Sequence, residues 1–155
     1  MAIHRVSASG IISAPARMVY NIIADYRNGH PQILPKPYFL SLHVEKGGYG
    51  AGTVINFQMQ LLGRIQSFHA SITEPEPGHT LVETDRNTGA MTTFTVDPRS
   101  TGKEAMVTIT TTTTVPDGVL GRVQGWFTMR LLHPIYEKEL AQLAAVAKEQ
   151  ATQLS

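Results

Sequence analysis

VLGRVQGWFTMRLLHPIYEKELAQLAAVAKEQATQ, running from Val119 to Gln153, is the stretch whose reading decides the fold. Within it Val119, Val123, Trp126, Met129, His133, Tyr136, Leu140, Leu143 and Ala147 recur at helical spacing and form one stripe of an amphipathic helix. At ~1.5 Å per residue such a helix is about 50 Å long. Pro134 lies inside it, removing one backbone donor and crowding the carbonyl of Arg130, so a kink is predicted there. A stripe of this length needs an apolar surface to lie on, and the residues upstream provide a sheet.

Ile3 to Ile12 reads as a first strand, after which Ser13 and Pro15 give a cap and a first-turn proline for a helix carrying Val19, Ile22, Ile23 and Tyr26. The proline-rich stretch from Asn28 to Pro37 allows one further short helical turn. Six more strands are predicted at Tyr38 to Glu45, Thr53 to Leu62, Arg64 to Glu74, Thr80 to Asp85, Met91 to Asp97 and Ala105 to Val115. The pieces between them, GGYGAG, EPEPGH, RNTG and DPRSTGK, are short and turn-rich, so neighbouring strands run antiparallel as a meander. Ile55, Phe57, Met59 and Leu61 alternate with Asn56, Gln58 and Gln60, which gives the sheet one apolar face. The class is α+β, with the long helix laid on that face.

Composition narrows the functions. A chain of 155 residues is read as one domain spanning 1 to 155, with room for a substantial core. Net charge is +1 and no run of like charges appears, so nucleic acid is not an expected partner. With no cysteine, disulfides and thiolate metal sites are excluded, and a reducing, cytoplasmic location is expected. The amino terminus lacks a sustained apolar core for a signal peptide, and no segment is apolar enough for stable membrane insertion. The six histidines stand in no metal-ligand spacing, and neither a metal nor a cofactor is expected.

EKGGYGAGTV, Glu45 to Val54, raises the question of a phosphate loop. No Gly-Lys-Ser/Thr follows, and TVINFQMQL after Gly52 has a period of two, so no helix amino terminus is there to hold an anion. The glycines read as a hairpin tip. No serine sits in a Gly-x-Ser-x-Gly elbow, which argues against covalent catalysis.

The order strand, two helices, six strands and long final helix resembles the helix-grip superfamily, which holds START lipid-transfer domains, birch-pollen-allergen-like proteins and polyketide cyclase/dehydrase-like proteins (SRPBCC). SGIISAPARMVYNIIADYRN resembles its first strand, Ala-Pro turn and first helix, with Tyr20 where a Trp is usual; GGYGAGT resembles its glycine hairpin, and ITEPEPGHTL its acidic-proline turn. PDGVLGRVQGWFTMRLLHPIYEKELAQLAAVAKE resembles its last helix. The resemblance implies a seven-stranded curved antiparallel sheet wrapped around the long helix, two short helices after the first strand, and an apolar cavity between sheet and helix.

On that frame Phe57, Met59, Phe68, Phe94, Trp126 and Met129 are candidate wall residues for an apolar ligand, with Ile33 and Leu34 at the rim, against the plainer reading of each as a core residue. His133 and Arg130 are candidates to hydrogen-bond a ligand oxygen, against the plainer readings of a satisfied core histidine and a surface arginine. Glu83 and Asp85 share one strand face with no role assigned. Gly118, Gly121 and Gly125 either vacate volume for a ligand or allow close helix-to-sheet contact. The apolar girdle from Trp126 to Tyr136 packs on the first helices or serves a homodimer. The function expected is binding, with transport as an extension, of a small hydrophobic or amphipathic molecule such as a lipid, quinone or polyketide. The alternatives are a polyketide cyclase, aromatase or dehydratase using acid/base residues of the same cavity, and an interaction module.

Overall fold

The computed structural model describes residues 2–115 and 117–154. The elements follow as β1 (Ala2–Ile12), α1 (Ala16–Ala24), α2 (His30–Ile33), β2 (Phe39–Lys46), β3 (Val54–Leu61), β4 (Arg64–Glu76), β5 (Thr80–Asp85), β6 (Met91–Pro98), β7 (Ala105–Val115) and α3 (Val119–Leu154). The strands form one antiparallel sheet in the order β1-β7-β6-β5-β4-β3-β2, so the meander closes by bringing β1 beside β7. The curved sheet with α3 on its concave side is the helix-grip fold.

Alternation assigns the inward residues, and register lines them up. Ala8, Ile109, Phe94 and Leu81 form one row across β1, β7, β6 and β5; Val6, Thr111, Thr92, Glu83 and Ile72 form the next, reaching into β4. The first row is wholly apolar and buried. Two threonines and a glutamate interrupt the second, and these polar positions later define the site.

Ser13 does not cap α1. The cap position is Pro15, extended and without a side-chain hydrogen bond, because its fixed φ already directs the chain into the helix that starts at Ala16. Helix α1 buries Val19, Tyr20, Ile22, Ile23 and Ala24, and the glycine hairpin clamps its end, with Tyr26 N donating to Gly48 O at 2.9 Å and Gly50 N to Ala24 O at 3.0 Å. Gly50 has φ +58°, and any Cβ there would sit 2.2 Å from a Glu74 carboxylate oxygen. The hairpin therefore holds the segment bearing Tyr26 and His30 in place.

Helix α3 continues through Pro134 as one element. The predicted stripe holds over its second half, where Tyr136, Leu140, Leu143 and Ala147 are buried, but not over its first. Val119, Val123 and Trp126 are 80%, 54% and 56% exposed, and His133 is exposed as well. The face that actually turns inward carries Gly121, Gly125, Met129, Leu132, Ile135 and Tyr136. Apolar side chains surround this part of the helix on nearly every side, so periodicity alone could not choose the face. The glycines choose it: a Cβ on Gly125 would lie 2.8 Å from Val115 Cγ1 and 2.9 Å from the His4 ring. Gly125 therefore serves close contact with the β1–β7 edge and vacates no ligand volume.

Candidate ligand cavity

Between the concave face and α3 lies a cavity of about 280 Å³. Phe57 and Phe68, paired across β3 and β4, stack with ring centroids 4.9 Å apart and form one wall; Phe39, Met59, Phe94 and Met129 extend the apolar lining. Gln66, Thr114 and Thr128 are exposed and mark the opening, whereas His30 and Glu139, each 2% exposed, lie at the inner end.

The inner end carries the polar chemistry. Tyr26, buried just beyond α1, donates its hydroxyl to Glu83 Oε1 at 2.6 Å. The His30 ring stacks on that of Tyr26, with centroids 4.4 Å apart. Its Nδ1 lies 2.7 Å from the Ile23 carbonyl, which can only accept, so Nδ1 carries the hydrogen and Nε2 faces Glu83 Oε1 at 3.4 Å. From α3, the Tyr136 hydroxyl joins Thr111 and, through it, Thr92 in a chain of hydroxyls with oxygens 2.5 and 2.7 Å apart. Burial pushes the phenols of Tyr26 and Tyr136 above the ordinary tyrosine range.

Glu139 lies one helical turn beyond Tyr136 and has no hydrogen-bond partner among the described residues. Burial, reinforced by the nearby charge of Glu83, raises its carboxyl well above the usual carboxylate range. Asp85 behaves differently. Burial alone would raise it, but hydrogen bonds from the Thr88 side chain and from the His69 and Thr88 amides outweigh that, holding it below its ordinary value and fixing the β5–β6 turn. No lysine or arginine lines the cavity among the described residues, and no cluster there of three or more His, Asp or Glu is arranged to hold a metal ion.

Residues 4–148 match the family model described as polyketide cyclase / dehydrase and lipid transport. The chain belongs to that family. As a polyketide cyclase/dehydrase and lipid transport family protein it shares its architecture with many solved structures. The KanY protein, whose solution structure was determined by NMR, is 30% identical, with a TM-score of 0.82 over 96% of this chain and 99% of that one. Zhui aromatase/cyclase from Streptomyces sp. R1128 is 14% identical, with a TM-score of 0.73 over 97% and 96% of the two chains. A START superfamily protein from Mycobacterium smegmatis is 15% identical, with a TM-score of 0.65 over 98% and 99%. At such identities the last two speak for the fold alone. No curated protein matches the sequence.

Of the residues predicted for the site, Leu34, Phe57, Met59, Phe68, Phe94 and Met129 meet at this cavity. Four do not. Ile33 is fully buried in the core between α2 and its neighbours. Trp126 and Arg130 are exposed and pack on each other, the guanidinium carbon 5.3 Å from the indole centroid, so they form a cation–π pair on the outer face of α3. His133 pairs with Glu137 at 2.9 Å, Nδ1 to Oε1, in a separate, open groove between β1 and α3. The same rotation of the helix moves all three α3 residues off the cavity.

His30, Tyr26, Glu83, Tyr136 and Glu139 replace them at the polar end. Two signals for these were present in the sequence. Glu83 stands two residues after Leu81, on the same face of its strand, and Glu139 stands three after Tyr136 and four before Leu143, on the stripe that holds. His30 offered none, since a lone histidine before a proline reads as a loop residue.

Proposed function

We propose that this protein binds a small hydrophobic or amphipathic molecule, such as a lipid, quinone or polyketide, between its sheet and α3. The observation that carries the reading is the cavity itself: about 280 Å³ of space walled by aromatic and aliphatic carbon, with polar groups gathered at the buried end. Burying ligand carbon there supplies roughly 25 cal/mol per Å² before association costs are met, and the polar end sets orientation. The family's own description, which includes lipid transport, supports the reading. Native mass spectrometry and solvent extraction of freshly purified protein test it, together with titration by an apolar fluorophore. A co-purifying small molecule or a saturable site is the expected result; an interior that is empty and refuses every probe sinks it.

A specific observation also favours an enzymatic reading of the cyclase/dehydrase kind. Dehydration beside a carbonyl needs one group to accept a carbon-bound proton and a second to protonate the departing hydroxyl. On this reading Glu83, held by Tyr26, would take the first role, and Glu139, whose carboxyl burial raises above the ordinary range, the second. A β-hydroxy ketone probe incubated with the protein would then lose one molecule of water. Recovery of the unaltered probe from a saturated site would leave binding alone.

A further inference from the structure

We infer that the inner end of the cavity, where Glu83 of β5 and Glu139 of α3 share the lining with His30 and no lysine or arginine, receives the protonated amine of an apolar or aromatic ligand. This rests on the binding reading above and names the ligand's head group.

The cavity is rich in acceptors. Glu83 Oε1 takes the Tyr26 hydrogen and lies 3.4 Å from His30 Nε2, whereas the other Glu83 oxygen and both oxygens of Glu139 have no hydrogen-bond donor among the described residues. Glu139 is a polar side chain 2% exposed, lining empty space, with nothing to pair with. Leaving such a group unsatisfied is costly unless a ligand completes it. An ammonium brings three donors and a positive charge, which is what two adjacent carboxyl groups lack. A carboxylate or phosphate head would instead meet Glu83, Asp85 and Glu139 with no lysine or arginine to offset them, since the neighbouring Lys138 turns outward over the Tyr38 ring. The faces of Phe57 and Phe68 suit the apolar body.

Binding is then linked to proton release. Burial beside Glu83 raises the Glu139 carboxyl, so in the free protein it keeps its proton to higher pH than an ordinary carboxylate; when the ammonium arrives, that proton leaves to solvent and the new cation takes over the charge balance. The groups that interact with it are Glu83 of β5, Tyr26 after α1 and Tyr136 of α3, with His30 of α2 lining the same end. Amine affinity should therefore rise by about tenfold per pH unit wherever Glu139 is protonated in the free protein.

The test uses three probes with one aromatic body: naphthylmethylamine, naphthalenemethanol and naphthoic acid, titrated against the full chain near neutral pH. The amine should bind about 10-fold tighter than the alcohol and about 100-fold tighter than the acid. Glu139→Gln should bring the amine to within about twofold of the alcohol, and an unchanged circular dichroism spectrum reports that the fold survives. Equal or better binding of the alcohol or acid overturns the head-group assignment while leaving the cavity reading intact. Failure of all three probes to bind overturns both.

Discussion

Glu139 is buried on α3, and that burial, together with the charge of Glu83, keeps its proton on well above the ordinary carboxylate range. Its folded form binds the proton more tightly than its unfolded form. Stability is therefore lost as pH rises from the unfolded value toward the folded one, and the loss is complete above it. Glu139→Gln removes the effect. The variant should be more stable than the parent by ~1–3 kcal/mol near neutral pH, with no difference below about pH 4, in urea denaturation across that range. A parent that is the more stable at neutral pH would mean the ionised carboxylate has a stabilising partner. Gly125 supplies a steric counterpart. Its Cβ position is occupied by Val115 and by the ring of His4, whose Nε2 is buried without a hydrogen-bond partner, so room must be made on the sheet. Gly125→Ala gains helix propensity yet should destabilise by about 1–3 kcal/mol, visible as a lowered denaturation midpoint, because the backbones cannot separate without disturbing the β1–β7 edge.

Helix α3 divides into two regions that respond differently to truncation. Leu143 is 1% exposed against the core, and Leu143→Ala should cost about 2–5 kcal/mol in chemical denaturation. Trp126 is 56% exposed, and Trp126→Ala should stay within about 0.5 kcal/mol of the parent despite removing a far larger side chain. A large loss there would mean that the cation–π pair with Arg130 or an unseen contact is structural. This division also marks where sequence reading stops. Strands were legible because each turn is punctuated: GGYGAG, EPEPGH and RNTG end one alternating run and begin the next, and β5 and β7 begin and end where predicted. The face of α3 was legible only from Tyr136 onward, where polar residues such as Lys138 and Gln142 contrast with Leu140 and Leu143. Upstream, Trp126, Phe127, Leu131 and Leu132 give no contrast, and the deciding residues are glycines, which hydropathy scores as nearly neutral. The site inherits that ambiguity: Trp126 and His133 lie on the predicted stripe and Arg130 beside it, and all three turn outward, whereas Phe57, Met59 and Phe68 follow from clean alternation and do meet at the cavity.

At the scale of the molecule, a sheet and helix that enclose empty space forgo dispersion contacts that a packed core would make, and a site retained at that cost invites a test by filling it. Ala70 on β4 is the place to do so. It is 2% exposed, lines the cavity, and stands in register between Ile55 of β3 and Asp85 of β5, so a larger side chain there points into the void rather than to solvent. Ala70→Phe buries additional carbon and should hold or raise the melting temperature, while uptake of an apolar fluorophore falls by roughly tenfold or more. Opposite signs for stability and binding are the signature of a ligand sharing that volume. If strain at the sheet instead lowers the melting temperature, Ala90→Phe, nearer the opening and half-buried, plugs the same space from a turn that tolerates adjustment. Probe uptake that survives both substitutions in folded protein would put the ligand outside the space between sheet and α3. The open groove beside His133 and Glu137 would then be the next place to look.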